Sequence, residues 1–141
     1  MPDPIVLFAM IVVLLPMGYF LLAAPAFLLV SLDIRAVALL MRAMFNGYFL
    51  TMIWADVIGT LAFALDSRLL VAVAFGLIAA LAAAARRWFL VRLDAQIRAR
   101  DAGDAGAAHQ LRRLHWGGML SNALELAAIV ASIPYIAVAT T

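Results

Sequence analysis

Apolar residues fill four long stretches of the chain, and most charged residues lie between these stretches. The stretches cover approximately residues 5–32, 46–65, 69–90 and 114–138. An α-helix rises about 1.5 Å per residue and the hydrocarbon core of a bilayer is about 30 Å thick, so about 20 apolar residues can cross it. Each stretch therefore predicts a membrane-spanning helix.

The segments beside the spans also have helical character. Residues 34–45 form an amphipathic lead into the second span. Residues 86–100 contain good helix formers and no Gly or Pro, so we expect the third helix to continue beyond the membrane, where Asp94 and Arg98 are spaced to pair. A turn containing two glycines follows, and a new helix is expected from about Ala107 into the fourth span. The pattern predicts an all-α polytopic membrane protein, a four-helix transmembrane bundle with a cytoplasmic helical extension of helices 3 and 4.

Composition places this bundle in lipid. Of the 141 residues, 68% are hydrophobic and 13% are charged, whereas soluble domains are about half apolar and about a quarter charged. The length fits one domain over residues 1–141. The chain has no cysteine, which excludes disulfides and thiolate metal sites. The basic residues flank apolar spans, so they indicate contact with a membrane surface and not with nucleic acid.

The arginines predict the orientation. All ten basic residues are arginine. With spans alternating in direction, nine arginines lie on one side of the membrane and Arg68 alone lies on the other. The positive-inside rule places the nine in the cytoplasm. The protein is therefore expected in the bacterial inner membrane, with the arginine-rich loops cytoplasmic and both termini periplasmic.

Two acids lie inside apolar spans. Counted from the arginine-rich side, Asp56 and Glu125 are each about 15–16 Å deep, near the bilayer midplane. A charge at this depth is costly and is a functional-site hypothesis by default. Thr60 lies one turn from Asp56, and Ser121 and Asn122 lie one turn from Glu125. These five side chains are candidates for a proton or cation site. The alternative is that both acids are protonated and form hydrogen bonds between helices.

A second group of candidates lies where the chain leaves and re-enters the membrane. Arginines beside aromatic residues are typical of anchoring at the membrane interface, and they also suit an anionic lipid or an acidic partner. This group comprises Arg86, Arg87, Trp88, Arg112, Arg113, His115 and Trp116. His115 has a second interpretation as a haem ligand or proton relay, but no second histidine lies inside a span, and interfacial or headgroup contact is favoured. Asn46 is expected to cap the second span.

Several segments resemble a known family. They are residues 22–27, with small residues and a proline; residues 40–46, an arginine-bearing lead into Asn46; and residues 111–115, which re-enter a helix carrying Asn122. With these segments the chain resembles, over most of its length, the small bacterial four-helix membrane proteins typified by the anthrone-oxygenase-like proteins. The resemblance implies the fold. That family has no agreed biochemical role, and the two midplane acids are not part of the resemblance.

Three functions remain open. The leading hypothesis is a non-enzymatic membrane subunit that packs, as a homo-oligomer or in a larger complex, through small-residue helix faces. The alternative is a small proton- or cation-coupled transporter that uses Asp56 and Glu125. A membrane enzyme or redox component involving His115 ranks last, because the chain has too few candidate ligands and no nucleophile with a base. No hydrolase triad, phosphate loop, zinc motif or dinucleotide fingerprint is found in the sequence. No cofactor or metal is expected.

Overall fold

Four long helices and one short helical turn account for most of the chain in a computed structural model that describes residues 4–137, with side chains described to Pro134. The long helices are α1 (Pro4–Ala23), α2 (Arg35–Leu65), α3 (Leu69–Asp101) and α4 (Ala107–Ala137). A 3₁₀ helix, Ala24–Leu28, continues α1, with Pro25 in its first turn. No strand occurs within residues 4–137. The predicted all-α class is confirmed, and the predicted end of the fourth span at residue 138 lies outside the described residues.

All four helices are long and apolar enough to cross a bilayer, so the chain is a membrane protein. With 31 and 33 residues, α2 and α3 are about 46 and 50 Å long, well beyond the ~30 Å hydrocarbon core. The amphipathic segment 34–45 is continuous with the second span instead of forming a separate element. The helical extension therefore contains the start of α2 as well as the end of α3 and the start of α4. We call this part of the bundle the arginine-rich end.

The helices form a ring of neighbours. Helix α1 packs against α2 and α4, and α3 packs against the same two helices. Because successive helices run in opposite directions, α2 and α4 run parallel to each other and occupy opposite corners of the ring. Side chains that cross between α2 and α4 therefore pass through the centre of the bundle.

An aromatic layer fills the core below the arginine-rich end. Phe45 lies at its centre, with ring centroids 5.2 Å from Phe20 and 5.4 Å from Phe89. Helix α4 passes this ring at Gly118, where an added Cβ would lie 2.3 Å from the Phe45 ring. The glycine at this position therefore leaves room for the Phe45 ring against the backbone of α4.

The break between α3 and α4 lies where the sequence predicts it. Gly103 has a φ of 91°, which favours glycine, and it lies directly beyond the end of α3. The side chain of Asp104 then accepts a 2.8 Å hydrogen bond from the backbone N–H of Gly106. This turn reverses the chain and returns α4 toward the membrane.

Candidate functional site

A chain of buried hydrogen bonds crosses the centre of the bundle. The Tyr48 hydroxyl on α2 donates to Oδ1 of Asn122 on α4 at 2.8 Å. Nδ2 of Asn122 donates in turn to the backbone oxygen of Met17 on α1 at 3.3 Å. Asn122, predicted as a member of a proton or cation site, therefore connects three helices. The sequence prediction did not include Tyr48, although its position two turns from Asp56 on one helix face is a signal for it.

Contacts between α2 and α4 set the relative heights of the two acids. Phe45 lies opposite Gly118, and the tyrosine–asparagine hydrogen bond lies three to four residues further along both helices. Asp56 is then level with about residue 130, roughly five residues beyond Glu125. At 1.5 Å per residue the offset is about 7.5 Å. The predicted equal depth is wrong, because it assumed that residues 46 and 114 begin their spans at the same height.

Asp56 is buried in the core without a polar partner. Its side chain is 1% exposed, and neither carboxylate oxygen has a hydrogen-bond partner within residues 4–137. The Thr60 hydroxyl donates at 2.7 Å to the backbone oxygen of Asp56 and not to its carboxylate. Thr60 therefore lies near the acid in sequence but does not satisfy it.

A cavity of about 320 Å³ adjoins Asp56. All four helices contribute to its wall, and nearly all of the lining is apolar. The lining residues on α1, α3 and α4 include Met10, Val13, Leu70, Ala74, Phe75, Ile78, Ile129 and Ser132. Among the described residues, Asp56 is thus the one acid in a wall whose only other polar side chain is that of Ser132.

Glu125 has a different environment. It lies on the exposed outer surface of α4, where the Ser121 hydroxyl donates to Oε1 at 3.3 Å. Among the described residues, its carboxylate forms no hydrogen bond with Asp56 or Tyr48. The two acids therefore do not share one binding site inside a single chain.

His115 is a core residue. It is 0% exposed, and its Nε2–H donates to the backbone oxygen of Ala24 at 2.9 Å. The rings of Phe27 and Phe45 lie 5.9 and 5.8 Å from it. Nδ1 has no hydrogen-bond partner among the described residues. The predicted lipid contact of His115 is wrong, because the 3₁₀ helix that follows α1 covers the imidazole.

At the arginine-rich end a carboxylate is fully paired. Asp94 on α3 accepts two hydrogen bonds from Arg42 on α2, one of them 2.8 Å between Nη2 and Oδ2. Arg98, the predicted partner one turn away, acts on Asp94 only through its charge. Asp94 lies beyond the apolar span, and the hydrogen bonds from Arg42 lower its pKa below the ordinary value.

Two predicted interfacial arginines bind within the chain. Arg86 donates from Nε and Nη2 to Oδ1 of Asn46 at 3.0 and 2.6 Å, so Asn46 is an internal acceptor in α2 and not a helix cap. Arg112 donates to the backbone oxygens of Leu28 and Val30, both at 3.1 Å. The predicted contact residues that remain exposed are Arg87, Trp88, Arg113 and Trp116.

The fold and these contacts define a small polytopic membrane protein whose core contains an acid that its described residues leave unpaired. The chain matches no protein-family model, no curated protein and no solved structure. The resemblance to the anthrone-oxygenase-like proteins stays a prediction. A function is therefore inferred from the residues themselves.

Proposed function

We propose that this protein is a non-enzymatic membrane subunit that associates with a second copy of itself through the outer face of α4. The observation that carries the proposal is the exposure of Glu125 on the outside of the bundle, within the part of α4 that is apolar enough to span a membrane. An acid that faces lipid is costly, and such residues usually face protein or water. A second protein surface over this face removes that cost.

The burial of the four helices is uneven in a way that supports the proposal. In the most apolar part of α1 and of α2, 33% of residues are buried within the chain, but only 11% in α3 and in α4. More of the surface of α3 and α4 is therefore available to a partner. The exposed face of α4 carries Gly117, Ser121, Glu125 and Ala128 at helical spacing, and small residues allow transmembrane helices to approach closely.

A second copy suits this face because of symmetry. Two copies inserted in the same direction are related by a two-fold axis along the membrane normal, so each residue meets its equivalent at the same depth. Two Glu125 carboxyl groups near that axis can share a proton, because like charges at close range do not both ionise readily. Ser121 supplies a hydroxyl donor on the same face.

Orientation is part of the proposal. Nine of the ten arginines lie in the segments that form the arginine-rich end, which the positive-inside rule assigns to the cytoplasm. The protein would then lie in the inner membrane, and the segments before α1 and after α4 would face the periplasm. The exposed Arg87, Trp88, Arg113 and Trp116 suit anionic lipid headgroups on the cytoplasmic side.

Proton- or cation-coupled transport is a second candidate, supported by one observation. Asp56, which has no hydrogen-bond partner among the described residues, lies beside a cavity to which all four helices contribute. The offset of about 7.5 Å between Asp56 and Glu125 argues against a single two-carboxylate site within one chain. A transporter would therefore use Asp56 by itself or combine acids from two copies.

Cysteine crosslinking in the native membrane tests self-association directly, because the chain has no cysteine of its own. We expect Ser121→Cys to form a disulfide-linked dimer on oxidation, since the α4 faces meet. Thr51→Cys is the matched control, because Thr51 is exposed on α2 at about the height of Glu125, and it should stay monomeric. A Ser121→Cys variant that stays monomeric under oxidation, together with only monomer in native mass spectrometry, would contradict the proposal.

A further inference from the structure

We infer that the cavity beside Asp56 is a binding site for a small organic cation, an amine or ammonium group carried on an apolar body. The site is separate from the self-association surface, because Asp56 is enclosed in the core whereas Glu125 lies on the outside of α4. Either property can therefore be present without the other.

The unpaired carboxylate is the first argument. Most buried polar atoms in proteins have a hydrogen-bond partner, and each exception calls for an explanation. In the part of the chain that the structure describes, both carboxylate oxygens of Asp56 lack one. The nearby hydroxyl of Thr60 is already directed to a backbone oxygen. A bound ammonium group would supply both the opposite charge and the missing hydrogen-bond donors.

The cavity gives the second argument. Its volume of about 320 Å³ is at the lower end of the ~300–1,000 Å³ range of small-molecule sites. The exposed residues in its lining, Leu70, Ala74 and Ile78, all belong to α3. The cavity thus reaches the outer surface of the bundle beside α3, where an amphipathic molecule dissolved in the bilayer can enter.

The chemistry of the lining distinguishes an organic cation from a metal ion. Calcium takes six to eight oxygen ligands, whereas Asp56 and Ser132 are the only polar side chains in the lining among the described residues. An organic cation needs one opposite charge and brings its own apolar surface to the remaining wall. Aromatic faces also attract such cations, and Phe75 is part of the lining.

Gly59 brings this aromatic ring close to the acid. It lies one turn beyond Asp56 on α2, and an added Cβ there would lie 2.5 Å from the Phe75 ring. The ring therefore packs directly against the α2 backbone one turn from Asp56, and both residues line the cavity. The acid, the aromatic ring and the apolar wall together form the three parts that recognition of an apolar ammonium compound requires.

Calorimetric titration of the full-length protein in detergent micelles tests the inference. The probe is phenethylammonium, and its matched neutral analogue is 2-phenylethanol, which has the same apolar body without the charge. We expect saturable binding of the ammonium at least tenfold tighter than that of the alcohol. Asp56→Asn should lower the affinity for the ammonium at least tenfold, and Glu125→Gln should leave it unchanged.

A second pair of variants tests the cavity without altering the carboxylate. Ala74→Phe fills the lining and should abolish binding, whereas Ala80→Phe, at an exposed position of α3 outside the lining, should retain it. Helical circular dichroism shows whether Asp56→Asn folds. If it does not fold, the two alanine variants test the binding site by themselves. Equal affinity for the alcohol, no saturable binding of the ammonium, or full binding by Ala74→Phe would each overturn the inference. Crosslinking through Ser121→Cys reports self-association independently of these results.

Discussion

The arginine-rich end and the middle of the bundle differ in how they accommodate a carboxylate. Asp94, at the arginine-rich end, accepts two hydrogen bonds from Arg42 on a neighbouring helix. Asp56, in the middle, has no hydrogen-bond partner within residues 4–137. The chain thus supplies its own guanidinium to Asp94, whereas the residues that the structure describes supply no hydrogen-bond donor to the carboxylate of Asp56.

The middle of the bundle is not generally poor in polar contacts. Two turns from Asp56 along α2, Tyr48 forms a buried hydrogen bond with Asn122, and Asn122 also donates to the backbone of Met17. The same four helices therefore can satisfy a buried polar side chain. At Asp56 the neighbouring helices leave a cavity, and the described residues supply no hydrogen-bond partner for the carboxylate.

Replacing Asp56 or Asp94 with leucine should give the largest change in the free energy of unfolding. The change should have opposite signs in the two regions. Asp56→Leu should raise the free energy of unfolding by about 2–4 kcal/mol, because it removes a buried polar group without a partner and adds apolar contact. Asp94→Leu should lower it by about 1 kcal/mol, because Arg42 loses its acceptor. Unfolding by SDS from detergent micelles measures both. A destabilised Asp56→Leu protein would mean that the carboxylate has a partner within the molecule.

The hydrogen bond between Tyr48 and Asn122 is expected to have the next largest effect. Tyr48→Phe should lower the free energy of unfolding by about 1–2 kcal/mol, because it removes the hydroxyl donor from a buried amide oxygen. Tyr19→Phe is the matched control, because Tyr19 is 72% exposed, and its effect should be near zero. The same unfolding assay applies. If both variants lowered the free energy of unfolding equally, the buried hydroxyl of Tyr48 would contribute no more to stability than the exposed hydroxyl of Tyr19.

The helices and their extension were predictable because they depend on local pattern. Apolar stretches of sufficient length, separated by arginines, indicate spans, and the run without Gly or Pro after Arg86 indicates a helix that continues past the membrane. The cost of exposing an acid to lipid favours burial of both midplane acids, but the structure buries Asp56 and leaves Glu125 exposed. Its cavity was not predictable, because the space between helices depends on how their side chains pack.

Register and pairing were not predictable from the sequence. The height of α4 relative to α2 depends on the close contact between Phe45 and Gly118, which two distant segments form only after folding. Local spacing favoured Arg98 as the partner of Asp94, but Arg42, 52 positions away, forms the pair. Two hydrogen bonds from one guanidinium to one carboxylate form a stronger interaction than a single contact between residues one turn apart on a helix.

The ion pair between Arg42 and Asp94 should make the smallest contribution to the free energy of unfolding. Both side chains are about one-third exposed, so a double-mutant cycle of Arg42→Ala and Asp94→Ala should give a coupling of about 0.2–1 kcal/mol. Since the hydrogen bonds from Arg42 lower the pKa of Asp94, this stabilisation is present above the unfolded-state pKa of about 3.9 and is lost as the pH falls through the lowered value. Unfolding measured between neutral and acidic pH checks the coupling and its pH dependence.

The cycle of Arg98→Ala with Asp94→Ala is the control. It should give a smaller coupling, because Arg98 forms no hydrogen bond with the carboxylate. A coupling for Arg42 that equals the control would contradict the pairing.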